Sequence, residues 1–144
     1  MRKYILSLAV IGMLLITVMG IQSCYSNVSM ETAQYAVNGQ KLYTTHCQNC
    51  HGAKGEGLGK LYPPLTDSTF LNKQRAQLAC IVKHGIRGPL QVNGKTYDGI
   101  MPGNAKLNTV EIAYILTYIT TTFGNSTSTY TQEEVVKNLE NCKK

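Results

Sequence analysis

The chain has 144 residues and a formal net charge of +6, with 15% charged and 43% hydrophobic residues. That length holds one domain and its accessories. The charge excess is mild and dispersed, with nine Lys/Arg against four Asp/Glu over residues 34–124, which argues against a nucleic-acid binder.

The first segment, residues 1–23, does not read as ordinary fold. Arg2 and Lys3 make a basic head, Tyr4 to Gly20 is an uncharged and nearly continuous apolar run, and Ile21, Gln22 and Ser23 lead to Cys24. This is the pattern of an export signal. Cys24 at the exit resembles the acylated first residue of a bacterial lipoprotein, which implies a lipid anchor at Cys24. The alternative is an uncleaved anchor helix, for which the 17 residues from Tyr4 to Gly20 are barely long enough. Either reading places the remainder outside the cytoplasm. From Cys24 onward the charge is +4, from twelve basic and eight acidic residues.

Residues 24–33 are polar and mixed and read as a tether between lipid and domain. From Gln34 the pattern turns helical, with Ala36, Gly39, Leu42, Tyr43 and Cys47 on one face. Gly52 to Gly59 carries four glycines and reads as loop. Pro63-Pro64 is extended, because the ring of Pro64 keeps Pro63 out of helix. Asn72 to Lys83 reads as one short helix stopped by Gly85. Residues 85–103 are rich in Gly, Pro and Asn and read as a long loop, a length that is uncommon unless the loop wraps something. Asn108 caps a strong helix from Thr109 to Phe123, stopped by Gly124. In residues 125–144 a small-polar linker precedes Thr131 and Glu134, which are expected to form a capping box before an amphipathic helix with Val135, Val136 and Leu139. No strand pair is expected. The body, residues 34–124, is therefore a thin all-α core joined by long loops, which a rigid apolar group in the middle would complete.

One short stretch carries the chemistry. His46-Cys47-Gln48-Asn49-Cys50-His51-Gly52 allows three readings. A redox dithiol places Cys-x-x-Cys at a helix start after a strand, whereas a helical pattern precedes Cys47 here. A zinc site would need Cys47, Cys50, Cys80 and Cys142 together, but 29 and 61 residues separate the later ones and His51 is left without a role. Cys-x-x-Cys-His is the attachment pattern for haem c. Two thiols reach the two vinyl groups on one porphyrin edge, and the next histidine falls beneath the iron. Cys47 and Cys50 are then the thioether positions and His51 the proximal ligand. Met101, in Gly99-Ile100-Met101-Pro102-Gly103, is the candidate second ligand, because the only other methionine after Cys24, Met30, lies in the tether. His46 is tied beside Cys47 and cannot compete, and His84 is a weaker candidate.

With these residues in place, the chain resembles a class I cytochrome c. That family places a glycine eight and an aromatic four residues before the first haem cysteine, matched by Gly39 and Tyr43. Its last helix supplies an aromatic 17 residues after the ligand methionine, matched by Tyr118. A proline about 12 residues past the histidine is matched by Pro63. The resemblance implies that Pro63 offers its carbonyl to the free ring nitrogen of His51, which fixes the tautomer and raises basicity. It spans residues 34–124 and implies three to five helices wrapped around one covalent haem.

A narrower likeness runs through "HGIRGPLQVNGKTYDGIMPG" and "IAYILTYITTTFGN" to small cytochrome c domains that serve nitrite reductases, alcohol or aldehyde dehydrogenases and terminal oxidases. It implies a monohaem one-electron carrier, with no small-molecule substrate and no nucleic acid. Its partners are expected to be redox donors and acceptors with acidic docking faces that meet Lys54, Lys60 and Lys106. Two alternatives are an integral electron-transfer subunit of a larger complex and a five-coordinate haem sensor or enzyme. Cys80 and Cys142 depart from many relatives, and in an oxidising compartment they are candidates for a disulfide that pins the tail helix.

Overall fold

The computed structural model describes residues 28–142 throughout, together with residues 3, 4, 7, 12 and 13. The export segment and Cys24 lie outside the described stretch. Among the described residues no helix is long and apolar enough to cross a membrane.

Within the described residues 28–142 six helices follow in chain order: α1 Met30–His46, α2 Gln48–His51, α3 Ser68–Lys73, α4 Arg75–His84, α5 Thr109–Thr122 and α6 Gln132–Glu140. The mostly helical architecture agrees with the expected fold class. Helix α1 starts at Met30, four residues before Gln34, because Ser29 caps it by accepting a hydrogen bond from the Thr32 amide at 3.1 Å. The expected single helix over 72–83 is two helices, broken at Gln74, whose backbone sits at φ −95°, ψ 6°. The first of these begins at an Asp67 cap that sequence periodicity does not reveal.

The expected absence of strand pairing does not hold. Strands β1 Gly85–Ile86 and β4 Met101–Pro102 pair antiparallel, with Ile86 opposite Met101. Strands β2 Leu90–Val92 and β3 Lys95–Tyr97 form a hairpin, with Leu90 opposite Tyr97. Its turn is Asn93-Gly94, both at positive φ, the chemistry a tight hairpin requires. Ladders two and three residues long leave almost no periodicity to detect.

The α1–α5 crossing dominates the helix packing. Gly39 makes it possible: a Cβ there would overlap the Tyr114 carbonyl and crowd the Cβ of Tyr118. Tyr43 packs against Tyr118 at 5.3 Å and Phe123 at 5.5 Å between ring centroids. Helix α5 is the core element, with Ile112, Ala113, Ile115, Leu116 and Ile119 all buried. Asn108 caps it, as expected from the sequence, and the Glu111 side chain completes a capping box beyond that expectation.

The tail is part of this body. Tyr130 and Val135 are fully buried, and Tyr130 donates its hydroxyl to the Arg75 carbonyl. The Arg75 guanidinium forks onto both Glu134 oxygens, at 2.7 and 2.8 Å, and lies 4.5 Å from the Tyr130 ring centroid. This pairing corrects the capping box expected at Thr131 and Glu134: Thr131 does accept from the Glu134 amide, but the Glu134 carboxylate turns to Arg75. Of the apolar residues of this helix, Val135 is buried and Val136 is 39% exposed. Cys80 of α4 and Cys142 after α6 are joined by a disulfide with Cα atoms 5.6 Å apart.

Candidate haem-binding site

The site starts from the end of α1. The Cys47 amide still donates to the Tyr43 carbonyl at 2.8 Å, and the one-turn helix α2 then carries Cys50 and His51. Gly52, at φ +80°, ends that turn. Its carbonyl accepts the Tyr43 hydroxyl at 2.6 Å, so α1 holds both ends of the motif. The glycine-rich loop then folds back on the motif. The Gly57 amide donates to the His51 carbonyl at 2.8 Å, and the Leu65 amide to the Gly55 carbonyl at 2.7 Å. A Cβ on Gly57 would overlap the Tyr62 carbonyl, so only glycine allows this approach.

This fold-back delivers the Pro63 carbonyl to His51 Nδ1 at 3.1 Å. A carbonyl only accepts, so Nδ1 carries the proton and Nε2 is left with its lone pair. His51 is 7% exposed. Burial lowers its pKa, and the bond to Pro63 opposes that shift only in part, so the ring is held neutral, as a metal ligand must be.

His51, Cys47 and Cys50 line one cavity, whose other walls come from Leu65, Phe70, Leu78, Val82, Val92, Tyr97, Met101 and Leu116. Among the described residues no charged side chain lines it. Met101 reaches the cavity from β4, held opposite Ile86. The structure thus brings Cys47, Cys50, His51, Pro63 and Met101 to one chamber. Gly39, Tyr43 and Tyr118 lie behind it at the helix crossing. His46 and His84 do not line the chamber; both are exposed.

The chemistry of this donor set separates the three readings of the motif. Burial and the neighbouring Cys50 push the Cys47 thiol up to about 11, whereas a redox dithiol needs a lowered pKa. Cys80 and Cys142 are consumed by their disulfide, so a four-thiolate zinc site cannot form. Two free thiols, a neutral imidazole, a thioether and an apolar chamber fit a flat, apolar, iron-bearing ring.

Several neighbours of the site carry no local sequence signal. Leu61 and Ile100 line the chamber yet are 66% and 61% exposed, which marks its mouth. Lys54, Lys60 and Lys106 are exposed, as expected. Lys83, at the end of α4, donates to the carbonyls of Ala105 and Leu107 at 2.8 and 2.7 Å. Only its place in the last turn of a helix hints at a role in donating to carbonyls.

Comparison with known proteins gives the same answer. The family model described as "Cytochrome c" matches residues 36–123. The chain is similar to cytochrome c-552 of Thermus thermophilus, at 33% identity over 109 residues that cover 69% of this chain and 82% of that protein. It is also similar to the cytochrome c subunit of a quinone alcohol dehydrogenase from Gluconacetobacter polyoxogenes. That identity is 29% over 106 residues, covering 71% of this chain and 22% of the subunit.

Proposed function

The chain belongs to the cytochrome c family, whose members hold haem c covalently and transfer electrons, and we propose that it is a monohaem carrier tethered to the outer side of a membrane. In this reading Cys47 and Cys50 are the thioether positions, and His51 and Met101 are the axial ligands. Haem c bound there supplies reversible one-electron exchange at its iron.

The chain's own residues set the conditions for that exchange. Pro63 orients the His51 ring and keeps Nε2 available. Met101, a thioether donor, favours the reduced state, and the uncharged chamber disfavours added positive charge. Two protein ligands leave no position for a substrate, which favours a carrier over the five-coordinate sensor or enzyme. Leu61 and Ile100 at the mouth, with Lys54 and Lys60 on the same stretch of chain, suit an acidic redox partner with an apolar centre.

The observation that carries this reading is the meeting of His51 and Met101 in one apolar chamber with two free thiols. Residues 1–23 as export signal, 24–33 as the approach from a lipid on Cys24, 34–124 as carrier domain and 125–144 as a docked tail complete it. The likeness to a dehydrogenase subunit supports a second reading, a bound electron-transfer subunit of a larger complex.

One set of purified variants tests the whole reading. Cys47→Ser with Cys50→Ser should abolish haem that survives denaturing electrophoresis. Met101→Ala should lower the midpoint potential and remove the near-infrared sulfur-to-iron absorption; an unchanged spectrum and potential would exclude Met101 as ligand. Cys24→Ser should move haem-bearing protein from membrane to soluble fraction. Co-purification of a stoichiometric redox enzyme from solubilised membranes would favour the subunit reading over the free carrier.

A further inference from the structure

Met101 stands on a ladder of two residue pairs, Gly85 with Pro102 and Ile86 with Met101. So short a ladder is marginal by itself. Immediately beyond it the chain crosses the end of α4 at contact distance, because a Cβ on Gly103 would overlap the His84 main chain. The Asn104 amide then donates to the Val82 carbonyl at 2.9 Å, filling one of the open acceptors at the α4 C-terminus. Residues 104–107 turn back, with the Leu107 amide on the Asn104 carbonyl at 3.3 Å. Lys83 closes this turn by donating from one ammonium group to the carbonyls of Ala105 and Leu107. Leu107 is 3% exposed and belongs to the core, so the clasp ties a buried anchor to the last turn of α4.

We propose that Lys83 is a positioning residue for Met101: its ammonium clasps the 104–107 turn to α4 and so holds the Met101 strand closed over the chamber. This rests on Met101 as axial ligand. The competing state is one in which β4 lifts from β1 and the thioether leaves the chamber. The population of that state sets how readily an outside base takes the same side, since apparent affinity scales with the competent fraction. Each hydrogen bond from a charged donor is strong enough that losing two raises the open population roughly tenfold or more.

The test is imidazole binding to the oxidised, haem-loaded protein, together with hydrogen exchange of the amides of Met101 and residues 103–107. Lys83→Met should bind imidazole roughly tenfold more tightly than wild type and exchange the Asn104 amide faster by a similar factor. Lys106→Met removes the same charge from the same turn and serves as control; it should change either readout by less than roughly twofold. If Lys83→Met does not yield folded protein, Lys83→Gln is read the same way, with a rise of roughly threefold expected. Matching values for the Lys83 and Lys106 variants overturn the clasp. Met101→Ala separates this from the underlying reading. If it leaves imidazole affinity at the wild-type value, the ligand assignment fails; if it raises affinity while neither Lys83 variant does, only the clasp fails.

Discussion

Gly39 of α1 lies directly against the Tyr114 carbonyl of α5, with no room for a single added carbon. The atoms in the way are main-chain atoms of a buried helix, which cannot swing aside as the end of a flexible side chain can. Gly39→Ala should therefore force the helices apart and cost about 3 kcal/mol or more. Denaturant unfolding of the haem-loaded protein measures it; a loss below about 1 kcal/mol would show that the crossing yields more easily than its geometry indicates.

Tyr43 joins that crossing to the attachment motif through its hydroxyl on the Gly52 carbonyl. Tyr43→Phe keeps the ring contacts with Tyr118 and Phe123 and deletes only the bond. A loss of roughly 1–2 kcal/mol is expected, since the carbonyl is left without its donor. Tyr43→Leu should cost more, because the ring contacts go as well. Equal stabilities for the two variants would place the whole effect in the hydroxyl.

Asp67 links two elements across 26 residues. One carboxylate oxygen caps α3 through the Phe70 amide and the other accepts from the Asn93 amide at the hairpin turn. These bonds, that to Phe70 foremost, hold its pKa below the usual 3.8. The native state therefore prefers the carboxylate, and the unfolded state takes up the proton first as pH falls. The stabilisation is complete above 3.8 and is lost as pH drops through the lower native value. Asp67→Asn keeps only one acceptor oxygen. Its melting temperature should lie below wild type by a constant gap at neutral pH, and the gap should close below 3.8. A gap that persists in acid would mean the carboxylate charge plays no part.

The Cys80–Cys142 bond spans a sequence separation of 62 residues. Closing a loop of that size restrains the unfolded chain, and removing it should cost roughly 2–4 kcal/mol. Cys80→Ala with Cys142→Ala tests this by denaturant titration. The visible spectrum should stay unchanged, because Tyr130, Val135 and the Arg75–Glu134 fork still seat the tail. Collapse of the haem spectrum in the double variant would assign the tail a larger share in holding the chamber.

Much of this architecture is written in local pattern. The attachment motif, the Asn108 cap, the Gly39–Tyr43 spacing and the isolated Met101 are each readable within a few residues. What escapes is pairing between distant positions. Glu134 satisfies the capping-box spacing, yet Arg75, 59 positions away, claims its carboxylate. The break at Gln74 is one backbone dihedral pair in a stretch without Gly or Pro. Lys83 looks like any solvated lysine until the turn after Met101 is placed beside it. The strands of 85–102 are too short to alternate, although Asn93-Gly94 is a turn signal that the sequence does contain.

One contact near the start of the described chain fixes a distance. The Thr32 hydroxyl lies 2.6 Å from that of Thr129, so the beginning of α1 and the linker before α6 meet at one end of the molecule. Helix α1 then runs 17 residues, roughly 25 Å, before it reaches Cys47. The helix is a boom of fixed length between the start of the described body and the place proposed for cofactor attachment. Shortening or lengthening it by one turn would shift Cys47 by roughly 5 Å relative to that contact and so pull it off the chamber wall.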